Sequence, residues 1–266
     1  MKKFITVSLS LAMALSLVAC GGSGKSADKD QTDMEYVKEK GTLVVGITEF
    51  EPMDYKDGNG DWVGFDADMA KAFADSLGVD VKFVVIDWDN KALELDGMKI
   101  DCVWNGMTLT DEVTSAMDCS NAYCNNAQVV IVPADKASEY QTVDSLSGLT
   151  FAVENGSAGK DEVEALNLEY TAVTSQADAL MEVAAGTSDA AVIDALMAGA
   201  MIGEGTGYAD LTYTVGLNTE EYGVGFRKGS DLVAALNDFF AESYADGSML
   251  KCAETYGVQA ALIEQK

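Results

Sequence analysis

Apolar residues along this chain switch repeatedly between strand-like runs and helical spacing. Residues 42–47 form a short β-branched run, and residues 66–77 then place Met69, Ala70, Phe73 and Leu77 on one face of a helix that Gly78 ends. Residues 81–86 predict the next strand. The runs at 99–104 and 128–132 are apolar almost without a break, as in central strands covered on both faces. A second set repeats the alternation: strand at 149–153, helix at 160–166, strand at 170–173, helix at 177–185 and strand at 190–193. After a strand at 222–226, Ser230 is placed to cap a helix carrying Leu232, Leu236, Phe239, Phe240 and Tyr244, and a shorter helix closes the chain. Two α/β sets of similar size, with no proline-rich linker between them, predict two lobes that share strands.

Within the first set, Asp57-Gly-Asn59-Gly-Asp61 followed by Asp68 imitates a calcium-loop spacing. Trp62 stands where such a loop needs glycine for its sharp turn, so the stretch is read as a hairpin joining residues 53–55 to 62–65, with no metal.

The N-terminus departs from this pattern. Lys2 and Lys3 precede an uncharged apolar stretch, residues 4–19, with the layout of a secretory signal and too short for a comfortable membrane span. It ends Leu17-Val18-Ala19-Cys20-Gly21-Gly22, which resembles the bacterial lipoprotein signal. The resemblance implies removal of residues 1–19 and lipidation of Cys20, whose acyl chains would anchor the protein to the membrane. Ordinary cleavage near Ala19, leaving a free Cys20, is the alternative. Residues 20–33 then comprise the anchor and a tether, because residues 21–33 hold no apolar side chain larger than alanine. Gly24-Lys25-Ser26 lacks the earlier glycine and the preceding strand of a phosphate loop.

Charge and inventory exclude several functions. The 266 residues carry 44 acidic and 17 basic side chains, a net charge of −27. Residues 1–19 hold two of those lysines and no acid, so processing takes the chain to −29. Such a field repels phosphate backbones and excludes nucleic acid as a partner. With no histidine, and Arg227 the only arginine, histidine triads, histidine metal sites and arginine clusters are impossible. Cys102, Cys119, Cys124 and Cys252 have no metal-binding spacing. Cys102 reads as a buried small hydrophobe, and whether Cys119 and Cys124 bridge is open. No cofactor is expected.

Seven further stretches carry a specific resemblance. They are Leu43-Val-Val-Gly-Ile-Thr-Glu-Phe-Glu-Pro-Met-Asp-Tyr55, Gly64-Phe65-Asp66-Ala-Asp68-Met-Ala, Ile100-Asp-Cys-Val-Trp-Asn-Gly106-Met-Thr108-Leu-Thr110, Met117-Asp118-Cys-Ser120-Asn-Ala-Tyr123, Asn155-Gly156-Ser157, Gly186-Thr-Ser-Asp189-Ala-Ala-Val-Ile-Asp194 and Tyr222-Gly-Val-Gly-Phe-Arg227-Lys-Gly229. In order and spacing they resemble the family 3 extracellular solute-binding proteins of amino-acid ABC importers. The resemblance implies a type II, periplasmic-binding-protein-like (Venus-flytrap) α/β fold, in which two crossing hinge strands let the lobes close over a ligand. Residues 34–125 and 222–266 would form one lobe and 126–221 the other, with crossings near residues 123–128 and 220–224.

The same resemblance assigns a site. Phe50 and Trp88 would flank the ligand side chain, although each could instead be core. The Asn105-Gly106-Met107-Thr108 loop would accept from the ligand's α-ammonium through carbonyls and the Thr108 hydroxyl, glycine permitting close approach. Asp194 would pair with that ammonium, or serve as a helix N-cap, or both. Gly156, Ser157 and Ala158, before a helix from residue 159 or 160, would offer amides to a carboxylate. Glu154 would face the ligand's variable end.

One departure stands out. Where the family carries an arginine for the ligand's α-carboxylate, this chain reads Thr110-Asp111-Glu112-Val113. Lys160 or Lys91 would have to substitute, as a point charge without a planar fork, or the ligand lacks a carboxylate. Glu154 and Glu49 make the cleft acidic, which with aromatic walls favours a cation. The expected function is a monomeric, extracytoplasmic, lipid-anchored receptor that delivers an amino acid or small amine to an ABC permease, without bond chemistry. Alternatives are a cyclohexadienyl-dehydratase-like enzyme using Glu154 or Asp194 as its acid, and the ligand-binding subunit of a membrane sensor.

Overall fold

A computed structural model describes residues 31–266. Residues 1–19, expected to be a signal sequence, and Cys20 lie outside the described residues, as does most of the expected tether. Thr32 caps the first helix, α1 (Asp33–Lys40), in a reciprocal arrangement with Glu35. The chain continues through β1 (Thr42–Ile47), the hairpin β2 (Tyr55–Lys56) and β3 (Trp62–Val63), α2 (Phe65–Leu77), β4 (Asp80–Val85), α3 (Lys91–Asp96), β5 (Cys102–Thr108), α4 (Asp111–Ala116), β6 (Asp118–Cys119) and β7 (Cys124–Asn126). The second set holds β8 (Gln128–Pro133), β9 (Thr150–Glu154), α5 (Ala158–Ala165), β10 (Glu169–Val173), α6 (Gln176–Ala185), β11 (Ala190–Asp194), α7 (Ala195–Met201) and β12 (Leu211–Gly216). The chain then returns through β13 (Glu220–Phe226) to α8 (Leu232–Asp246) and α9 (Ser248–Tyr256).

Two sheets repeat one plan. The first runs β4-β1-β5-β13-β6, with β1 parallel to β4 and β5, and β13 antiparallel to β5. The second runs β10-β9-β11-β8-β12, with β9 parallel to β10 and β11, and β8 antiparallel to β11. Each sheet therefore centres on three parallel strands connected through helices, plus an antiparallel strand that arrives from the other set. The two connections run side by side. Glu220, Glu221 and Tyr222 pair with Asn126, Asn125 and Cys124, and Gln128 O accepts from Leu217 N at 2.8 Å. The continuous apolar runs are central strands as expected, with β5 buried from Cys102 to Met107 and β8 from Gln128 to Val132.

Several boundaries differ from the sequence expectation, each for a physical reason. The strand expected at 99–104 begins at Cys102, because Asp101 is a fully buried carboxylate. It accepts Val44 N at 2.7 Å and Lys40 Nζ at 2.6 Å, and lies 3.6 Å from Arg227. The stretch from Asn105 to Thr108 is strand, not loop, since Tyr222 and Gly223 of β13 pair with Thr108 and Met107. α5 starts at Ala158, with the Ser157 hydroxyl accepting Lys160 N at 3.1 Å. Asp231 holds the cap position of α8 without a side-chain capping bond, and Ser230, one residue earlier, accepts Leu232 N with its hydroxyl at 3.4 Å. Ser230 N closes a turn on Arg227 O, while the Asp231 carboxylate accepts Met34 N at 2.9 Å and so docks α1.

The 57–61 segment is the tip of the hairpin, with Asp57 Oδ1 accepting the amides of Asn59 and Asp61. Cys102, Cys119, Cys124 and Cys252 are free thiols. Among the described residues, no helix is long and apolar enough to cross a membrane.

Candidate functional site

The ends of β5, β9 and β11 converge with the 3₁₀ turn at residues 88–90 and the start of α5 around a cavity of about 170 Å³. Open α/β sheets offer ligands a crevice at the carboxyl ends of their strands. Phe50, Trp88, Asn105, Gly106, Thr108, Glu154, Gly156, Ser157 and Asp194, read from the sequence as site residues, all line it. Glu49 is exposed and does not.

From the first lobe come two aromatic walls. Phe50 meets Tyr222 edge-on, with ring centroids 6.3 Å apart. It also packs against Gly106, where a Cβ would lie 2.6 Å from Phe50 Cε1. With φ of +55° as well, glycine is required there. Gly106 N donates to the buried Asp66 Oδ2 at 2.6 Å, and Tyr123 OH donates to the same oxygen at 2.7 Å. Burial raises the Asp66 carboxyl to about 7, with both bonds opposing it. Asn105 turns its amide to Thr48, accepting its N–H at 2.8 Å and donating to its hydroxyl at 3.0 Å. Trp88, 7% exposed, carries Lys91 Nζ 4.9 Å from its ring centroid.

The second lobe supplies carboxyls. Asp194 is the N-cap residue of α7, but its side chain makes no capping bond. Its Oδ1 accepts from Asn126 Nδ2, from Gln128 Nε2 at 3.0 Å and from Tyr222 OH at 2.8 Å, and its Oδ2 accepts from Gln176 Nε2. Every one of these donors is neutral. Burial, reinforced by nearby Glu220, pushes Asp194 up to about 8 against the bonds from Gln176 and Tyr222. Glu154, 3% exposed, is likewise held at about 8 by burial and by Asp194, with Lys91 opposing, and its Oε1 has no hydrogen-bond partner.

Glu220 ties this floor to the first lobe. Its Oε1 accepts Thr108 Oγ1 at 2.9 Å, Asn126 Nδ2 at 2.6 Å and Gln128 Nε2 at 2.8 Å. Asn126, Gln128, Gln176, Glu220 and Tyr222 are absent from the sequence-derived site. Their one visible signal was polarity at the edge of otherwise apolar runs, as with Gln128 leading Val129 to Val132.

The residue in the arginine position, Val113, is buried and packs with Ile86, Trp88, Met107 and Met117. Arg227 is remote from the cavity, bonded to Asp33 and to the carbonyls of Leu95 and Ile100. Lys160 reaches the wall, but its Nζ pairs with Glu164 at 2.9 Å. Lys91 instead spans the cleft, donating to Gly156 O at 2.9 Å and more weakly to Trp88 O at 3.3 Å. Burial lowers its ammonium, while Glu154, Glu112, Asp89 and Asp161 act the other way. Beside that bond, Gly156 (φ +72°) lies so close to Asp89 that a Cβ would sit 2.7 Å from Asp89 Cα.

Two sheets of this plan, joined by paired strands across a carboxyl-rich cleft, define a type II solute-binding protein. Residues 43–259 match the bacterial extracellular solute-binding proteins, family 3, and the chain belongs to that family. It is 29% identical over 249 residues to the L-cystine-binding protein TcyJ of Escherichia coli K12, covering 92% of each chain. Among solved structures it is similar to a P235GK mutant of ArgBP from T. maritima, with a TM-score of 0.80, 32% identity, and 85% and 99% of the two chains covered. It is also similar to the ancestral amino acid-binding protein AncCDT-1, a precursor of cyclohexadienyl dehydratase. There the TM-score is 0.77, the identity 30%, and the coverage 84% and 98%.

Proposed function

We propose that this protein is the extracytoplasmic substrate-binding component of an ABC importer, capturing an amino acid or a related small amine in the cleft between its lobes. Residues 34–125 and 222–266 act as one lobe and 126–221 as the other, turning about the connections near residues 123–128 and 220–224. Cys20 is the lipid anchor, and the mature protein works as a monomer beside its permease.

The observation that carries this reading is a buried Asp194 bonded only by neutral donors, beside a Glu154 whose Oε1 is unpartnered. A carboxyl kept from water and bonded by no cation of the protein, as Asp194 is, is a receptor for one, because a ligand ammonium supplies the charge that makes its ionised form stable. Asp194 takes the α-ammonium, assisted by carbonyls of Asn105 and Gly106. Thr108, whose proton goes to Glu220, can still accept. Phe50 and Trp88 flank the side chain, and Glu154 faces its far end, which favours cationic or amide-bearing ligands. For a ligand carboxylate, the first-turn amides of α5, at Ala158 and Gly159, have no carbonyl partner within their own helix and replace the family's arginine. The relatives' names support an amino acid as the ligand class.

A thermal-shift screen of refolded, ligand-stripped protein against amino acids, polyamines, other amines and short peptides tests the proposal, since a tight ligand raises apparent stability by mass action. Absence of any shift would overturn it. The dehydratase reading has one observation on its side, a Glu154 carboxyl that stays protonated near neutral pH with a free oxygen. Turnover of a cyclohexadienyl substrate would establish it.

A further inference from the structure

The aromatic face that a ligand cation would use is already covered by the protein's own ammonium. Lys91 Nζ stands 4.9 Å from the Trp88 ring centroid, within the range of a cation–π contact. Two carbonyls hold it there, Trp88 O on its own lobe and Gly156 O on the other, so its position is set by backbone on both sides of the cleft. Glu154, the wall carboxyl with an unpartnered oxygen, is the charge that acts most strongly on this ammonium.

Resting on the reading of the cleft as an amino-acid site, we infer that Lys91 is a specificity-determining residue. Its ammonium occupies the cation-accepting face of Trp88 and screens Glu154, and so disfavours ligands with a cationic side chain relative to neutral ligands of the same shape. A ligand cation entering the closed cleft must displace Lys91 or sit beside it, and like charges in a water-poor cavity repel. A neutral polar side chain meets no such opposition. The acidity of the wall, read alone, overstates the preference for cations, because the first residue of α3 supplies a cation to the same cavity.

The test compares wild type with K91M, K91Q and K91R, measuring affinities for L-arginine and for its neutral isostere L-citrulline by calorimetry or ligand-observed NMR. K91M keeps the apolar stem against Trp88, and K91Q keeps a donor for Gly156 O without charge, so the pair separates charge from the bridge between lobes. Both should raise the arginine-to-citrulline affinity ratio by about tenfold or more, a change typical of one partly desolvated cation contact, whereas K91R leaves the ratio close to wild type. An unchanged ratio in K91M and K91Q, or an equal fall in both affinities, would overturn the inference while leaving the amino-acid site intact. If neither these two ligands nor any other in the screen binds any of the four proteins, the reading of the cleft falls, and this inference falls with it.

Discussion

Tyr222, on the strand that re-enters the first sheet, donates its hydroxyl to Asp194 Oδ1 at 2.8 Å, at the end of the central strand of the second sheet. Asp194 is thus held partly by a strand that connects the two sheets, and a shift of that connection would change how well the charge on Asp194 is solvated.

Removing that hydroxyl separates its electrostatic role from its bulk. Y222F leaves the ring against Phe50 but takes one donor from the Asp194 carboxylate, so Asp194 should titrate above about 8. Losing a bond to a buried charged group costs about 1–3 kcal/mol. Binding of an α-amino ligand at neutral pH should weaken by roughly tenfold or more, and part of the loss should be regained above about pH 9, where the carboxyl ionises again. Titration calorimetry at the two pH values checks this, and an equal loss at both would point to a packing defect.

Stability without ligand should fall as pH rises. Asp194 and Glu154 hold their protons up to about 8 in the fold, whereas in the unfolded chain they ionise near 4. Between those values the folded state binds more protons than the unfolded state. Their contribution is therefore full below about pH 4 and is lost progressively as pH rises to about 8. D194N and E154Q should each flatten the decline measured by scanning calorimetry between about pH 5 and pH 8. Ligand binding at neutral pH should release protons, seen as a dependence of the binding heat on the buffer's ionisation enthalpy.

Closure should be blocked by one methyl group at Gly156. A Cβ there meets the Asp89 backbone at 2.7 Å across the cleft, and an alanine with φ near +72° carries a strain of about 1–2 kcal/mol. G156A should lower ligand affinity by about 100-fold, while the melting temperature of the ligand-free protein drops by only a few degrees. Small-angle scattering should show the variant staying open when ligand is added. A variant that closes and binds normally would mean that the contact yields.

Loss of the single arginine should damage the fold and spare the site. Arg227 bonds Asp33 and two carbonyls and lies beside the fully buried Asp101. Removing one member of such a network costs about 3–5 kcal/mol. Urea denaturation of R227M should show that loss. Calorimetry at a temperature where the variant is still folded should return a ligand affinity within about threefold of wild type.

The alternation of elements and the two-lobed plan were legible because unbroken apolar runs such as Val129 to Val132 have few homes other than a covered sheet. The nine candidate residues converge on one cavity because motif spacing carried them. What escaped was the polar layer beneath. Gln176, Asn126 and Glu220 lie far apart in the chain and meet only when the sheets are assembled, and amphipathic periodicity treats each as an ordinary exposed polar residue. Ser230 and Ser157 show the local limit. Both stood near a helix start, and Ser157 caps its helix from the cap position, whereas Ser230 lies one residue earlier and its hydroxyl accepts only Leu232 N, at 3.4 Å.

The near-contact between Gly156 and Asp89 has a mechanical consequence. On the Asp89 side it includes the Cα as well as the side chain, and the Cα cannot rotate away as side-chain tips do. Lobes turning about their connections would meet a hard stop there, and the space left behind it would act as a gauge. A molecule that fits lets the lobes seat fully, whereas a larger one props them ajar by an amount set by its excess. A permease that grips only the seated shape would then measure cargo size without touching the cargo.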